Sequence, residues 1–245
     1  MKVTGRSSFR WPWFLILTGI LLVGIYGGLI WSMPHRAVKA AAEKVPTKIV
    51  INVVQRKLYL YRNNKLFNVY PVAVGKPETP SPRGEFVVTQ KAIWGDGFGT
   101  RWIRFSAPWG IYGIHGTNKP WSVGTVASHG CFRMYNHDVE QVYALISLGT
   151  PVIVEGITPY VKIRRAINPG QIGQDVVELQ RLLRLAKVYS GSLSGVYTPE
   201  VKKAIERFQV MVHLPVTGVA SLETTQKLLE YTNQAGEKPG YLSRE

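Results

Sequence analysis

Residues 114–117 read IHGT and residues 128–134 read SHGCFRM. These two stretches bring together a thiol at Cys131, imidazoles at His115 and His129, a hydroxyl at Ser128 and a guanidinium at Arg133. Cys131 is the only cysteine in 245 residues. The thiolate is the nucleophilic form of cysteine, and a nearby imidazole or guanidinium favours it. Gly130 permits a tight turn before the sulfur, so that backbone amides can face a developing oxyanion. His115 sits in GIHGT, where the flanking glycines let a backbone carbonyl approach and orient the ring. A nucleophile, two candidate bases, a cation and donor amides suit acyl transfer. Spacing alone does not choose between His115 and His129 as the base. A Cys–His pair implies a rate profile that bends between about pH 5 and 9 as the base protonates.

Other roles for these residues fit less well. A lone cysteine is often a small buried hydrophobe. An apolar core position, however, rarely has His, Gly and Arg packed around it. Zinc held by His115, His129, Cys131 and His137 would need ligand pairs such as Cys-x-x-Cys, which are absent. The sequence therefore predicts neither a metal nor a cofactor. His137 precedes an acidic helix start and reads as a surface or capping residue. His35 and His213 read as structural or solvated.

The elements that position this chemistry are mostly strands. KIVINVV at 48–54 alternates, with Ile49, Ile51 and Val53 on one face. LYLY at 58–61 and LFNVYPVAV at 66–74 continue the pattern. Arg62-Asn63-Asn64-Lys65 between them is a hairpin signal, because Asn tolerates positive φ. TPSPRG is an extended loop ahead of EFVV, and the Gly- and Trp-rich stretch 91–114 suggests further strands and a long loop. Asn136 is placed as N-cap of a helix carrying Val139, Val142, Tyr143 and Ile146 on one face. Gly149 closes that region and TPVIVEG reads as the last strand. From residue 169 the period becomes helical. Asp175 with Glu178 reads as a capping box, and Thr198-Pro199 starts a second helix. Ser221 precedes a third. The predicted fold is a mainly β first domain with a short helix, followed by a small three-helix domain.

Residues 13–33 contain no charge across 21 positions. At ~1.5 Å per residue such a helix spans about 30 Å, enough for a bilayer core. Trp11, Trp13 and Trp31 sit near its ends. Lys2, Arg6 and Arg10 precede it, which favours a short inner tail and an outer body. The apolar run exceeds the ~7–15 residues of a cleaved signal peptide, so the segment reads as an uncleaved anchor. The net charge is +15, distributed as +5 over 1–44, +6 over 45–160 and +4 over 161–245. A charge spread this evenly argues against a nucleic-acid binder and fits attraction to a membrane surface or an acidic polymer.

IHGT followed by SHGCFRM resembles the signature of the L,D-transpeptidase (YkuD-like) catalytic domain. KLYLY, YPVAVGKPETPSPRGEF and the downstream GTPV are similar to that family too. Phe132 stands where the family usually has an aliphatic residue. The resemblance implies a β-sandwich with a short helix, acting on peptidoglycan stem peptides without a cofactor. It implies Cys131 as nucleophile and His115 as base, oriented by the Gly116 main chain. His129 would hold the thiolate or oxyanion region. Ser128 and Gly130 would support the nucleophile, and Arg133 would bind a substrate carboxylate. Water in place of an acceptor amine would make the same residues an L,D-carboxypeptidase. An inactive wall-binding scaffold would leave the presence of both His115 and Cys131 unexplained.

A second resemblance covers GQDVVELQRLL, SGVYTPEVKKAIERFQ and LPVTGVASLETTQKLL, which are similar to the PG_binding_1 type of peptidoglycan-binding domain. Its recognisable residues, Leu179-Gln180, Tyr197-Thr198 and Phe208-Gln209, are core, turn and cap positions. The expected plan is a cytoplasmic tail (1–12), a membrane anchor (13–33), a spacer (34–47), a catalytic domain (48–156), a linker (157–167), a peptidoglycan-binding domain (168–232) and a tail (233–245). Both domains are expected on the cell-wall side of the membrane.

Overall fold

The computed structural model describes residues 45–157 and 161–234. The expected cytoplasmic tail, the membrane anchor, most of the spacer and the end of the C-terminal tail lie outside them. Among the described residues no helix is long and apolar enough to cross a membrane.

Alternating apolar residues make the first three strands, β1 (Thr47–Asn52), β2 (Lys57–Arg62) and β3 (Lys65–Pro71). Ile49, Ile51, Leu58 and Leu60 are fully buried on one face. Asn63 and Asn64 turn the β2–β3 hairpin with φ of 49° and 60°, the positive values a two-residue turn of this hand needs. The chain continues through β4 (Val74–Gly75), β5 (Gly84–Ala92), β6 (Trp102–Phe105), β7 (Gly113–His115), β8 (Val126–Ser128), β9 (Phe132–Arg133) and β10 (Pro151–Glu155).

Eight strands form one sheet in the order β3-β2-β1-β10-β5-β6-β7-β9, and β4 pairs with β8 separately. β10 runs parallel to β1 and antiparallel to β5. The first half of β5, Gly84 to Val87, pairs with β10. Its second half, Val88 to Ala92, pairs with β6 across a register shift. One strand thus passes from one half of the sheet to the other, as strands do at the corner of a sandwich. Ile49 and Leu58 from one half share a single core with Ile114 and Phe132 from the other.

Helix α1 (Asn136–Leu145) fills the open side of that core with Val139 and Val142. Its C-terminal carbonyls are met by a cation: Lys91 Nζ donates to Tyr143 O at 2.6 Å and Ile146 O at 2.8 Å. Positive charge at a helix C-terminus is favourable. Asn136 does not cap α1. Tyr135 holds the cap position and Asn136 is the first helical residue, with its side chain turned to the loops beside His115.

Three helices follow, α2 (Gln174–Leu185), α3 (Pro199–Met211) and α4 (Leu222–Gln234). Leu179, Leu183, Val201, Ile205, Phe208 and Leu228 form their core. Ile167 joins it and pairs with Ala220 through two backbone bonds, so packing of this module begins inside the stretch read as linker. The capping box expected at Asp175 and Glu178 does not form. Gly173 is the cap residue, Asp175 pairs with Arg165, and Glu178 pairs with Arg181. Gln180 and Gln209 are buried and pin the loops behind their helices. Gln209 Nε2 donates to Thr217 Oγ1, Val219 O and Thr224 Oγ1, while its Oε1 accepts the amides of Thr217 and Gly218.

Candidate active site

The site lies where β7 and β9 run side by side. They pair in parallel, Ile114 with Phe132 and His115 with Arg133. Ile114 and Phe132 point into the core and are fully buried. Alternation along a strand sends Gly113, His115 and Arg133 to the opposite face. Cys131 lies in the bend just before β9, beside the Gly113 amide.

The turn that presents Cys131 is built from Ser128. Its Oγ donates to Cys131 O at 2.6 Å and accepts the Gly130 amide at 3.1 Å. Gly130 has φ 115°, and a Cβ there would come within 2.8 Å of the Tyr112 ring. Both facts require glycine. Ser128 is itself buried, and its carbonyl accepts the Lys76 amide. Cys131 is half-buried, and its Sγ lies 3.9 Å from Ile111 O.

His115 is 4% exposed. Its Nδ1 lies 2.5 Å from Gly116 O. A carbonyl only accepts, so the proton sits on Nδ1 and Nε2 keeps its lone pair. Aromatic rings enclose the imidazole: Phe98 meets it edge-on at 5.0 Å and Trp102 lies tilted at 5.7 Å. Trp94 stacks on Trp102 at 4.7 Å from the outer side. This wall comes from the Gly- and Trp-rich stretch whose role the sequence left open.

Burial sets the protonation states. Desolvation drives the His115 pKa from 6.5 down to about 4, with Arg133 adding to the effect and the Gly116 and Phe98 carbonyls opposing it. Desolvation also pushes the Cys131 thiol up, against the Gly113 amide and Arg133, which favour the thiolate. The resting pair at neutral pH is thus a thiol and a neutral imidazole. The sequence pointed to a thiolate favoured by its cationic neighbours. It did not contain the burial that outweighs them.

The structure brings Cys131, His115, Gly116, Ser128, Gly130 and Arg133 to one region. His129, between the buried Ser128 and Gly130, is exposed. His137 is also at the surface, beside Asp138 and stacked on Tyr135. No group of residues suited to a metal occurs among the described residues.

Asn136 belongs to the site although its sequence position suggested only a helix cap. Its Oδ1 accepts the Thr117 amide at 3.0 Å and the Thr100 amide at 3.3 Å. Gly99 and Gly116 crowd the same oxygen, since a Cβ on either would lie 2.1 Å from it. The carboxamide thus fixes the bend that carries the Gly116 carbonyl. An Asn three residues after Arg133 is a weak signal for such a task, because Asn before an apolar helix face fits a cap equally well.

Residues 46–154 match the family described as "L,D-transpeptidase catalytic domain", and residues 172–228 match "Putative peptidoglycan binding domain". The "Putative L,D-transpeptidase YkuD" of Bacillus licheniformis is 42% identical over 118 residues, covering 48% of this chain and 68% of that protein. The "Putative L,D-transpeptidase YqjB" of Bacillus subtilis is 39% identical over 122 residues, covering 43% of this chain and 69% of that protein. Among solved structures, an L,D-transpeptidase from Mycobacterium smegmatis aligns with a TM-score of 0.41 at 22% identity. The alignment covers 45% of this chain and 59% of that one.

Proposed function

This chain belongs to the YkuD family of L,D-transpeptidases, and from that premise we propose that it cross-links peptidoglycan stem tetrapeptides through an acyl-enzyme on Cys131. One observation carries the proposal: Cys131 stands in the turn that leads directly into β9, the strand paired with the His115 strand β7, with the His115 proton held on Nδ1 by Gly116.

The donor stem presents the amide between its third residue and the terminal D-alanine. His115 Nε2 takes the thiol proton as Sγ attacks the carbonyl carbon. A C–S bond forms and the carbonyl oxygen becomes an oxyanion. Collapse breaks the C–N bond, and the D-alanine amine leaves with the proton from His115. The side-chain amine of a second stem then attacks the thioester, giving its proton to Nε2. Sγ departs and recovers that proton, leaving a 3-3 cross-link. One amide is exchanged for another, so no ATP is consumed. Arg133, the strand partner of His115, suits a substrate carboxylate. The thiol faces the Ile111 carbonyl in the free enzyme, so the Cys–His contact tightens when substrate arrives.

Membrane anchoring by residues 13–33, with both domains on the cell-wall side, completes the proposal. It rests on the uncharged run and the basic residues before it. The helical module would hold the enzyme on its polymer.

The test is incubation of residues 37–245 with disaccharide-tetrapeptide, followed by mass spectrometry. Dimers that have lost one D-alanine support transpeptidation. Monomers shortened by one D-alanine make it a carboxypeptidase. No product, or the same product from Cys131→Ala, sinks the catalytic assignment.

A further inference from the structure

The helical module meets the first domain at the start of β5. Glu85 receives Arg184 of α2 through two bonds, at 2.6 and 3.0 Å. Its Oε2 also accepts the Leu193 amide at 3.2 Å, and its own amide donates to Leu193 O at 3.0 Å. Next to it, the Arg83 amide donates to Gln174 Oε1, and Gln174 Nε2 donates back to Arg83 O. Gly84 has φ 144°, and a Cβ there would lie 2.5 Å from Leu193 O. The two surfaces meet backbone to backbone.

The loop that makes this contact is bonded to side chains of α2. Arg184 donates to Gly191 O at 2.6 Å, and Gln180 Oε1 accepts the Gly195 amide at 2.9 Å. Gly195 then abuts Trp109: a Cβ at Gly195 would lie 2.3 Å from the indole. Trp109 packs edge-on against Phe86 at 5.9 Å and Tyr112 at 6.4 Å. Tyr112 covers Gly130, and its neighbour Ile111 supplies the carbonyl facing Cys131 Sγ. Contacts therefore run from the module to the nucleophile through Trp109 and Tyr112.

We propose that the helical module acts as a positioning element for the Trp109–Tyr112 segment beside Cys131, with Arg184, Glu85 and Gly195 as its positioning residues. This goes beyond holding the enzyme on its polymer, and it rests on the reading of Cys131 as the nucleophile. A tether changes how often substrate is met. A positioning contact changes how well the bound complex reacts, because small displacements of a reacting group cost rate.

The 245-residue chain in detergent, with Arg184→Ala, Gly195→Ala and the Glu85→Ala/Arg184→Ala pair, separates the two. Turnover is measured on soluble disaccharide-tetrapeptide, too small to need a tether. Arg184→Ala and Gly195→Ala are expected to lower kcat about tenfold with KM within about twofold, and the double variant to lose no more than Arg184→Ala. The rate of Cys131 alkylation by iodoacetamide is the second measurement, unambiguous because no other thiol exists. It is expected to change by about threefold or more in both single variants, as the segment beside the sulfur shifts. If Arg184→Ala loses its circular dichroism spectrum, Glu85→Gln takes its place. Unchanged kcat and unchanged alkylation overturn the proposal, as does a loss seen only on intact sacculi. An altered alkylation rate in a chain with no turnover supports the docking effect and removes the transpeptidase reading instead.

Discussion

Asn136 Oδ1 accepts the Thr117 amide at 3.0 Å, from the first turn of the helix that follows Cys131 to the bend that follows His115. The same oxygen takes the Thr100 amide. One side chain thereby joins the segments before and after His115, and the ring is held by the carbonyl between them. Asn136→Ala leaves two amides without acceptors. Loss of about 1–3 kcal/mol of stability is expected for each buried donor left unpaired, with a fall in kcat. Asn136→Asp keeps the acceptor but adds a negative charge near the imidazole. A nearby anion favours imidazolium, so the acid limb of kcat/KM should move to higher pH. An acid limb that stays in place in Asn136→Asp would refute this role.

The pH profile of the wild-type enzyme follows from burial. His115 accepts a proton only when neutral, and its pKa is lowered to about 4. Activity is therefore expected to hold down through pH 6 and to fall only as pH approaches 4. That limb lies below the bend between about pH 5 and 9 that an ordinary Cys–His pair implies. Stability has the same sign. The unfolded chain binds the His115 proton below 6.5 and the folded one only near 4. Stability is thus complete above 6.5 and declines as pH falls from there, by on the order of 3 kcal/mol once both states are protonated. Initial rates and urea unfolding at pH 4, 5, 6 and 7 check both claims. A limb centred on 6.5 would mean the aromatic wall opens in solution.

The gathering of the candidate site's residues was legible from sequence, because they sit in two short contiguous stretches. Cys131, Ser128 and Gly130 form their turn within four residues, and the glycine is required by local φ. The hairpin at Asn63-Asn64 was legible for the same reason. What stayed hidden depends on distant partners. Asn136 precedes a helix and so looks like its cap, but the Thr100 and Thr117 amides compete for it. Asp175 and Glu178 have capping-box spacing, yet Arg165 and Arg181 take their carboxylates. The environment of His115 comes from Trp94, Phe98 and Trp102, whose packing no period reveals.

Ser128→Ala tests how Cys131 is presented. It removes the acceptor of the Gly130 amide and the donor to Cys131 O. A stability loss of about 1–2 kcal/mol is expected from the two bonds, and kcat should fall by more than tenfold if the turn relaxes by about 1 Å. Circular dichroism melting and steady-state rates measure the two effects. Full activity in Ser128→Ala would show that Gly130 alone shapes the turn.

Gln209→Leu tests the staple of the helical module. The substitution is close in shape but strands the Thr217 and Gly218 amides that Oε1 accepts. A loss of about 2–4 kcal/mol is expected. Turnover on soluble fragments at low temperature should change little while the module stays folded. A melting temperature equal to wild type would show that water replaces the side chain without cost.

The place of β10 bears on when the enzyme can fold. It is the last strand of its domain, yet it lies between β1 and β5. Until Glu155 has left the ribosome, the edges of β1 and β5 that it will join have no partner. The groups β3-β2-β1 and β5-β6-β7-β9 can be joined only when β10 is present. Such non-local pairing folds slowly and leaves strand edges open to misassociation in the meantime. A chain stopped before residue 151 should therefore aggregate rather than fold in part. A nascent chain kept open until that moment is also one that can still be threaded through a narrow passage.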